Sequence, residues 1–203
     1  MLKPTSPKLL TAEEFIEKKF DLPEGERWTE LHAGIVVTFE GPDDRHGNFV
    51  RNISRALAEF VQQRAHHGYA CFELGFIVQR APDSVYVPPV SYLTTGERFA
   101  ETDAVATRRV PALVVEIAST NDRRKQMAVR VETYLAWQVP EVWVADPLEG
   151  VVFVFRNGRA QRSYRGEEIL LGEGEIEGFE TTVAALFEEP EWWSSGVKRK
   201  PEA

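Results

Sequence analysis

The 203-residue chain has the length of one domain with a full core, and its make-up, 43% hydrophobic and 28% charged residues, is that of a globular protein. A formal net charge of −8 argues against a protein that coats nucleic acid electrostatically, while leaving room for a nuclease whose basic groups are local. No apolar run is long enough to span a bilayer, residues 1–10 lack the apolar segment of a signal peptide, and the single Cys71 excludes an internal disulfide and a cysteine zinc cluster, so a cytoplasmic location is the default expectation.

Residues 1–9, polar with two prolines, read as a loose arm ahead of a single domain over residues 10–187. Thr11 to Glu14 is a capping box that opens a short helix with Phe15, Ile16 and Phe20 on its apolar side. Leu22 to Glu26 is a turn. Arg27 to Phe39 predicts two short strands joined at His32-Ala33-Gly34, with Glu30 on the first. Alternation alone puts Glu30 on the polar, exposed side, since acids are rarely buried. After a turn at Glu40–Asp44, Arg45-His46-Gly47 leads into a long amphipathic helix with Phe49, Ile53, Leu57, Phe60 and Val61 facing the core. His46 reads either as a phosphate ligand or as a surface histidine. His66-His67, beside Gly68 and without a third ligand, read as surface.

Tyr69 to Gln79 alternates as one strand, in which Cys71 is a small buried hydrophobe. Ala81 to Ser84 turns the chain, and Val85 to Leu93 is extended. Pro88-Pro89 cannot donate to a ladder, which places that strand at a sheet edge or ends it early. Thr94 to Arg109 is polar and reads as a surface loop.

The stretch from Val110 to Pro147 holds the centre. Ala112–Ala118 is an apolar run with Glu116 set inside it, a strand buried on both faces. An ionised carboxylate in such a place requires a metal, a cation or hydrogen-bond donors. A helix follows, capped by Asn121 or Asp122, with Met127, Val131, Tyr134 and Leu135 in one stripe, Arg123 and Arg130 beside it, and Lys125 and Glu132 pointing away. Pro140 ends the helix, and Glu141 to Ala145 forms a second strand. Strand, crossover helix and strand make a right-handed parallel βαβ unit, so Glu116 faces a basic helix side chain. Beyond it, Val151–Arg156, Gln161–Arg165 and Glu168–Leu171 predict an antiparallel meander, and Ile176–Phe187 a last short helix. Residues 188–203 form a tail. Its Trp192-Trp193 reads either as an interface anchor on a second subunit or as packing on its own domain, and Lys198-Arg199-Lys200 as a solvated end.

Several short motifs, together and in order, resemble the Uma-two family of bacterial putative restriction endonucleases, within the PD-(D/E)XK nuclease superfamily. They are Leu10-Thr11-Ala12-Glu13-Glu14-Phe15, Trp28-Thr29-Glu30-Leu31 with Gly34 and Val36, His46-Gly47, and Ala81-Pro82-Asp83-Ser84-Val85. Leu113 to Ile117 with Ser119, Glu132 to Ala136, Val142 to Pro147, Gly178-Phe179 and Leu186-Phe187 complete them, so the resemblance runs from Leu10 to Phe187. It implies an α/β, restriction-endonuclease-like core with a mixed central β-sheet flanked by helices. It also implies a site in which an aspartate and a glutamate bind a divalent metal such as Mg²⁺ beside a lysine on the crossover helix. On this sequence the metal-binding glutamate corresponds to Glu116, a helper glutamate to Glu30, the lysine to Arg130 and the aspartate to Pro89; His46 and Arg123 are candidates for contacting nucleic acid.

Proline offers no ligand atom, and arginine is always protonated, so it supplies charge but cannot act as a base. Arg130 beside Glu116 points instead to a salt bridge, and Asp83 falls at the wrong end of its strand to replace Pro89. Three functions follow: a family member with a degraded, weak or inactive site; an active Mg²⁺-dependent DNA endonuclease using Glu30, Glu116 and Arg130; or a non-catalytic nucleic-acid-binding or scaffold protein. A homodimer suits any enzyme that cuts both strands of a duplex.

Overall fold

The computed structural model describes residues 9–22, 28–64, 68–96, 98 and 104–194. Helix α1 (Ala12–Lys18) opens on the expected capping box: Glu14 N–H donates to Thr11 Oγ1 and Thr11 N–H to Glu14 Oε2. Strands β1 (Thr29–His32) and β2 (Ile35–Thr38) form a hairpin whose two-residue turn takes positive φ at both Ala33 (49°) and Gly34 (80°). Helix α2 (Asp44–Arg64) buries Phe49, Ile53, Leu57 and Phe60, as its periodicity predicts.

Between Tyr69 and Leu93 the chain changes sheets twice. Tyr69–Gln79 is two strands, β3 (Tyr69–Phe72) and β4 (Gly75–Gln79), broken where Glu73 takes a positive φ of 53°. Val85–Leu93 also divides, into β5 (Ser84–Tyr86) and β6 (Val90–Leu93), with Pro88-Pro89 in the gap. β4 and β5 pair with each other in one sheet while β3 and β6 pair in another, so both breaks carry the chain across, and Glu73 N–H donates to Pro89 O where they meet (3.3 Å). The prolines end a strand as expected, but β6 is not an edge: it lies between β3 and β8 (Leu113–Ile117). The loop after β6 contains a short strand, β7 (Ala106–Thr107), parallel to β4.

Helix α3 (Asn121–Ala136) joins β8 to β9 (Glu141–Asp146), which run parallel with Glu116 level with Val144. The N-cap is Thr120, not Asn121 or Asp122; Asp122 instead accepts from the N–H groups of Arg123 (2.7 Å) and Glu40 (2.9 Å). Strands β10 (Val151–Phe155) and β11 (Arg162–Arg165) continue antiparallel. The meander stops there: β12 (Ile169–Leu171) pairs with β13 (Glu180–Thr182) in a separate two-stranded sheet. Helices α4 (Val183–Phe187) and α5 (Glu191–Ser194) close the described chain, in which no helix is long and apolar enough to cross a membrane.

The result is an α/β fold with a five-stranded sheet, β2-β1-β5-β4-β7, and a mixed six-stranded sheet, β11-β10-β9-β8-β6-β3. α2 and α4 cover one face of the larger sheet around Trp143, Phe60 and Phe179. α3 lies on the other face over Val114, Val142 and Val144. Alternation on β8 sends Leu113, Val115 and Ile117 toward α2, and Val114 with Glu116 toward α3 and the smaller sheet. His66-His67 and the basic cluster at 198–200 lie outside the described residues, as do the side chains of Phe20 and Trp192.

Candidate active site

Glu116 reaches the space between the two sheets and is wholly buried, as is Arg130 one helix over (1% exposed). Glu30 comes from β1, across that space, and is also 1% exposed. The alternation on β1 therefore runs opposite to its exposed reading: Leu31 packs on α1, and Glu30 points at α3. Pairing of Val90 with Val115, continued by one residue, brings Pro89 level with Glu116.

Arg130 holds both acids. Its Nη1 and Nη2 donate to Glu30 Oε2 and Oε1 (2.5 and 2.9 Å), and its Nη2 and Nε donate to Glu116 Oε1 (2.6 and 3.0 Å). Tyr134, one turn along α3, donates its hydroxyl to the same Glu116 Oε1 at 2.8 Å. Glu30 also accepts from Val87 N–H and faces His32 Nε2, each at 2.8 Å. Burial drives the Glu30 carboxyl upward, but the Arg130 guanidinium, His32 and the Val87 N–H outweigh it and hold it at about 2. Burial likewise disfavours the Arg130 cation, yet Glu116 and Glu30 prevail and hold it well above its ordinary value. The rings of Tyr86 (4.7 Å), Phe39 and Tyr134 (both 5.9 Å) surround the guanidinium carbon.

A second arginine stands next to the first. Arg123, 2% exposed, is stacked against Trp28 and Phe39, each 4.9 Å from its guanidinium carbon, and its Nη1 lies 3.7 Å from Glu116 Oε2. His46 is also 2% exposed, so it is no surface histidine; its Nδ1 meets Ser119 Oγ at 3.1 Å and its ring packs edge-on against Trp28. Burial and the nearby Arg123 charge, opposed by Asp43, lower its imidazole to about 4. Glu116 Oε2, both Arg123 Nη atoms and His46 Nε2 are buried without a hydrogen-bond partner among the described residues. All five sequence candidates, Glu30, His46, Glu116, Arg123 and Arg130, thus gather at one place. Sequence reasoning missed Tyr134 as a ligand of Glu116, although its fourth-residue spacing from Arg130 was visible, and it missed the burial of His46, which begins the stripe continued by Phe49, Ile53 and Leu57. Asp83 is elsewhere, binding the N–H groups of Ala12 and Ala81 and the Arg80 side chain.

The model of the Uma-two family, described as "putative restriction endonuclease", matches residues 12–184. The chain belongs to that family. A crystal structure of a putative nuclease from Anabaena variabilis superposes with a TM-score of 0.69, covering 88% of this chain and 97% of that one at 20% identity, and so shares the fold. No curated protein matches.

Restriction-endonuclease-like proteins typically depend on a divalent metal, and the Uma-two residues present here do not fit one. Among the described residues no three of His, Cys, Asp or Glu gather as a ligand group. Three of the four carboxylate oxygens are bound to donors, and the fourth, Glu116 Oε2, faces the Arg123 guanidinium. Magnesium, which takes near-octahedral oxygen ligands, would meet a charge-neutral cluster there and no aspartate at Pro89.

Proposed function

We propose that this Uma-two protein retains the nuclease fold without metal-dependent hydrolysis, and that Arg130 is a built-in cation for the two carboxylates that would otherwise grip a metal. The observation carrying this reading is the four hydrogen bonds from one guanidinium to both Glu30 and Glu116. Arginine cannot deprotonate a water, and its planar fork suits two carboxylates where a lysine would serve one. Membership of a nuclease-like family supports nucleic acid as the partner. Arg123 and His46 have no exposed polar edge, and the half-buried Trp28 packs on both, so contact with a phosphate through them requires that ring to move.

Titration calorimetry with Mn²⁺ and Mg²⁺, paired with plasmid nicking, tests the reading. Neither metal binding nor metal-dependent cleavage is expected, and the double variant Pro89→Asp with Arg130→Lys should gain Mn²⁺ binding. Cleavage by the unaltered protein that Glu116→Ala abolishes would establish the active endonuclease using Glu30, Glu116 and Arg130. A gel shift on short duplex DNA, weakening steeply with salt, is the result expected of a nucleic-acid-binding protein; no retention at low salt leaves the scaffold reading.

A further inference from the structure

The outer side of α3 carries charge in the wrong order for a solitary helix. A helix favours acids in its first turn and bases in its last, because its amide dipoles leave the N-terminus positive. α3 has a favoured acid, Asp122, in its first turn, but Arg123, Arg124 and Lys125 follow it and its last turn has no base. Arg123 and Arg124 are answered inside the chain, by Glu116 and Asp146. Lys125 and Glu132 are exposed, and neither forms an ion pair among the described residues. They lie seven residues apart, two turns along one face, with exposed Ala128 and 58%-exposed Val129 midway between them.

Beside this face runs an apolar groove of about 540 Å³, walled by Met127, Val131 and Leu135 and floored by Val144, Phe153 and Phe155. It exists because α3 covers β8 and β9 but stops short of the same face of β10.

We propose that this face binds a second copy of the chain, α3 against α3 in antiparallel fashion about a two-fold axis passing between Ala128 and Val129. The charge pattern is self-complementary only in that orientation: Lys125 of each copy meets Glu132 of the other, because the two are equidistant from the axis. Each positive helix start then lies along the partner's negative helix end, so what is unfavourable in one copy is relieved in the pair. Small Ala128 at the crossing lets the backbones approach, and the groove receives the flank of the partner's helix. A two-fold contact of this kind closes on itself and gives a dimer rather than a filament.

Sedimentation equilibrium of the full chain, over micromolar to sub-millimolar concentration, reads the outcome. The unaltered protein is expected to dimerise, and Lys125→Glu or Glu132→Lys alone should each weaken dimerisation about tenfold or more, since each converts two attractive contacts into repulsions. The double swap, Lys125→Glu with Glu132→Lys, should restore it. Thermal melts of all four proteins confirm that these exposed changes leave the fold intact. A monomer throughout that range, which would leave the groove to another protein or to a small ligand, overturns the proposal. So does a dimer that ignores both single swaps, or one the double swap fails to restore.

Discussion

Replacing Arg130 by methionine removes the cation while keeping most of the side chain's volume, and so leaves Glu30 with His32 and the Val87 N–H, and Glu116 with Tyr134 and the more distant Arg123. Breaking a buried ion pair by removing one partner costs about 3–5 kcal/mol. In a domain of this size about 1 kcal/mol moves the melting temperature by about 2–4 °C, so a fall of about 6–20 °C is expected at pH 7. The pH dependence makes the test sharper. In the unaltered protein the Glu30 carboxyl is depressed from 4.5 to about 2. A depressed acid contributes stability that is complete above its unfolded value and is lost as pH falls through the folded one, here between about 4.5 and 2, and the shift corresponds to about 3 kcal/mol. Without Arg130 the largest of the groups that hold the Glu30 carboxyl down is gone, while His32 and the Val87 N–H remain, so its depression shrinks and the variant should lose less stability than the parent as pH falls from about 4.5 to 2. Melting followed by circular dichroism at pH 8, 7, 5 and 3 reads both effects. A variant melting within about 2 °C of the parent at pH 7, or showing the parent's acid profile, would refute the role given to this guanidinium.

His46 offers an independent titration. Its imidazole, lowered from 6.5 to about 4, binds a proton more readily in the unfolded chain, so stability is complete above about 6.5 and declines as pH falls toward 4. Nuclear magnetic resonance of the ring carbons should give a midpoint near 4, and a midpoint near 6.5 would mean that the ring is open to water. Asn52, 2% exposed, ties α2 to the end of the described chain by donating to Leu186 O (3.0 Å) and Glu188 O (2.9 Å). Asn52→Ala strands the Leu186 carbonyl, whereas Glu188 O keeps the Asn48 amide at 2.8 Å, and should cost about 1–3 kcal/mol in urea unfolding with an unchanged slope. A loss below about 0.5 kcal/mol would show that the Leu186 carbonyl finds another donor.

What could be read in the sequence follows the distance over which each feature is specified. Glu116 and Arg130 are fourteen residues apart within one strand–helix unit, and the geometry of that unit alone turns them toward each other. Helix α2 and the capping box of α1 were equally legible, because their signals recur every three or four residues. Glu30 was not. It meets Arg130 across one hundred residues of chain, and a four-residue strand alternates identically whichever face the fold covers. The double proline announced a break but not its consequence, a crossing between two sheets, because a missing N–H says where a ladder ends and nothing about which ladder follows. The expected meander ran on through Glu168–Leu171, yet the partner of β12 is β13, not β11, a choice made by pairing that no local residue encodes.

Charge explains why two arginines, rather than one, accompany the two buried carboxylates. A divalent ion between Glu30 and Glu116 would bring a charge of +2 to a pair of carboxylates, leaving the site neutral. Arg130 alone supplies +1, and one carboxylate would remain unbalanced in an interior where an unpaired charge costs several kcal/mol. Arg123 supplies the other unit, at 3.7 Å from the one carboxylate oxygen that Arg130 does not bind. Its own stabilisation comes from stacking between Trp28 and Phe39 rather than from a full set of hydrogen bonds. The aromatic rings and both guanidinium groups thus belong to one arrangement, in which a fixed +2 built from side chains balances the two carboxylates. A guanidinium balances charge as a metal does, but it has no open coordination position for a water or a phosphate oxygen. On the proposed function, the same residues that make the cluster stable are those that separate it from hydrolysis.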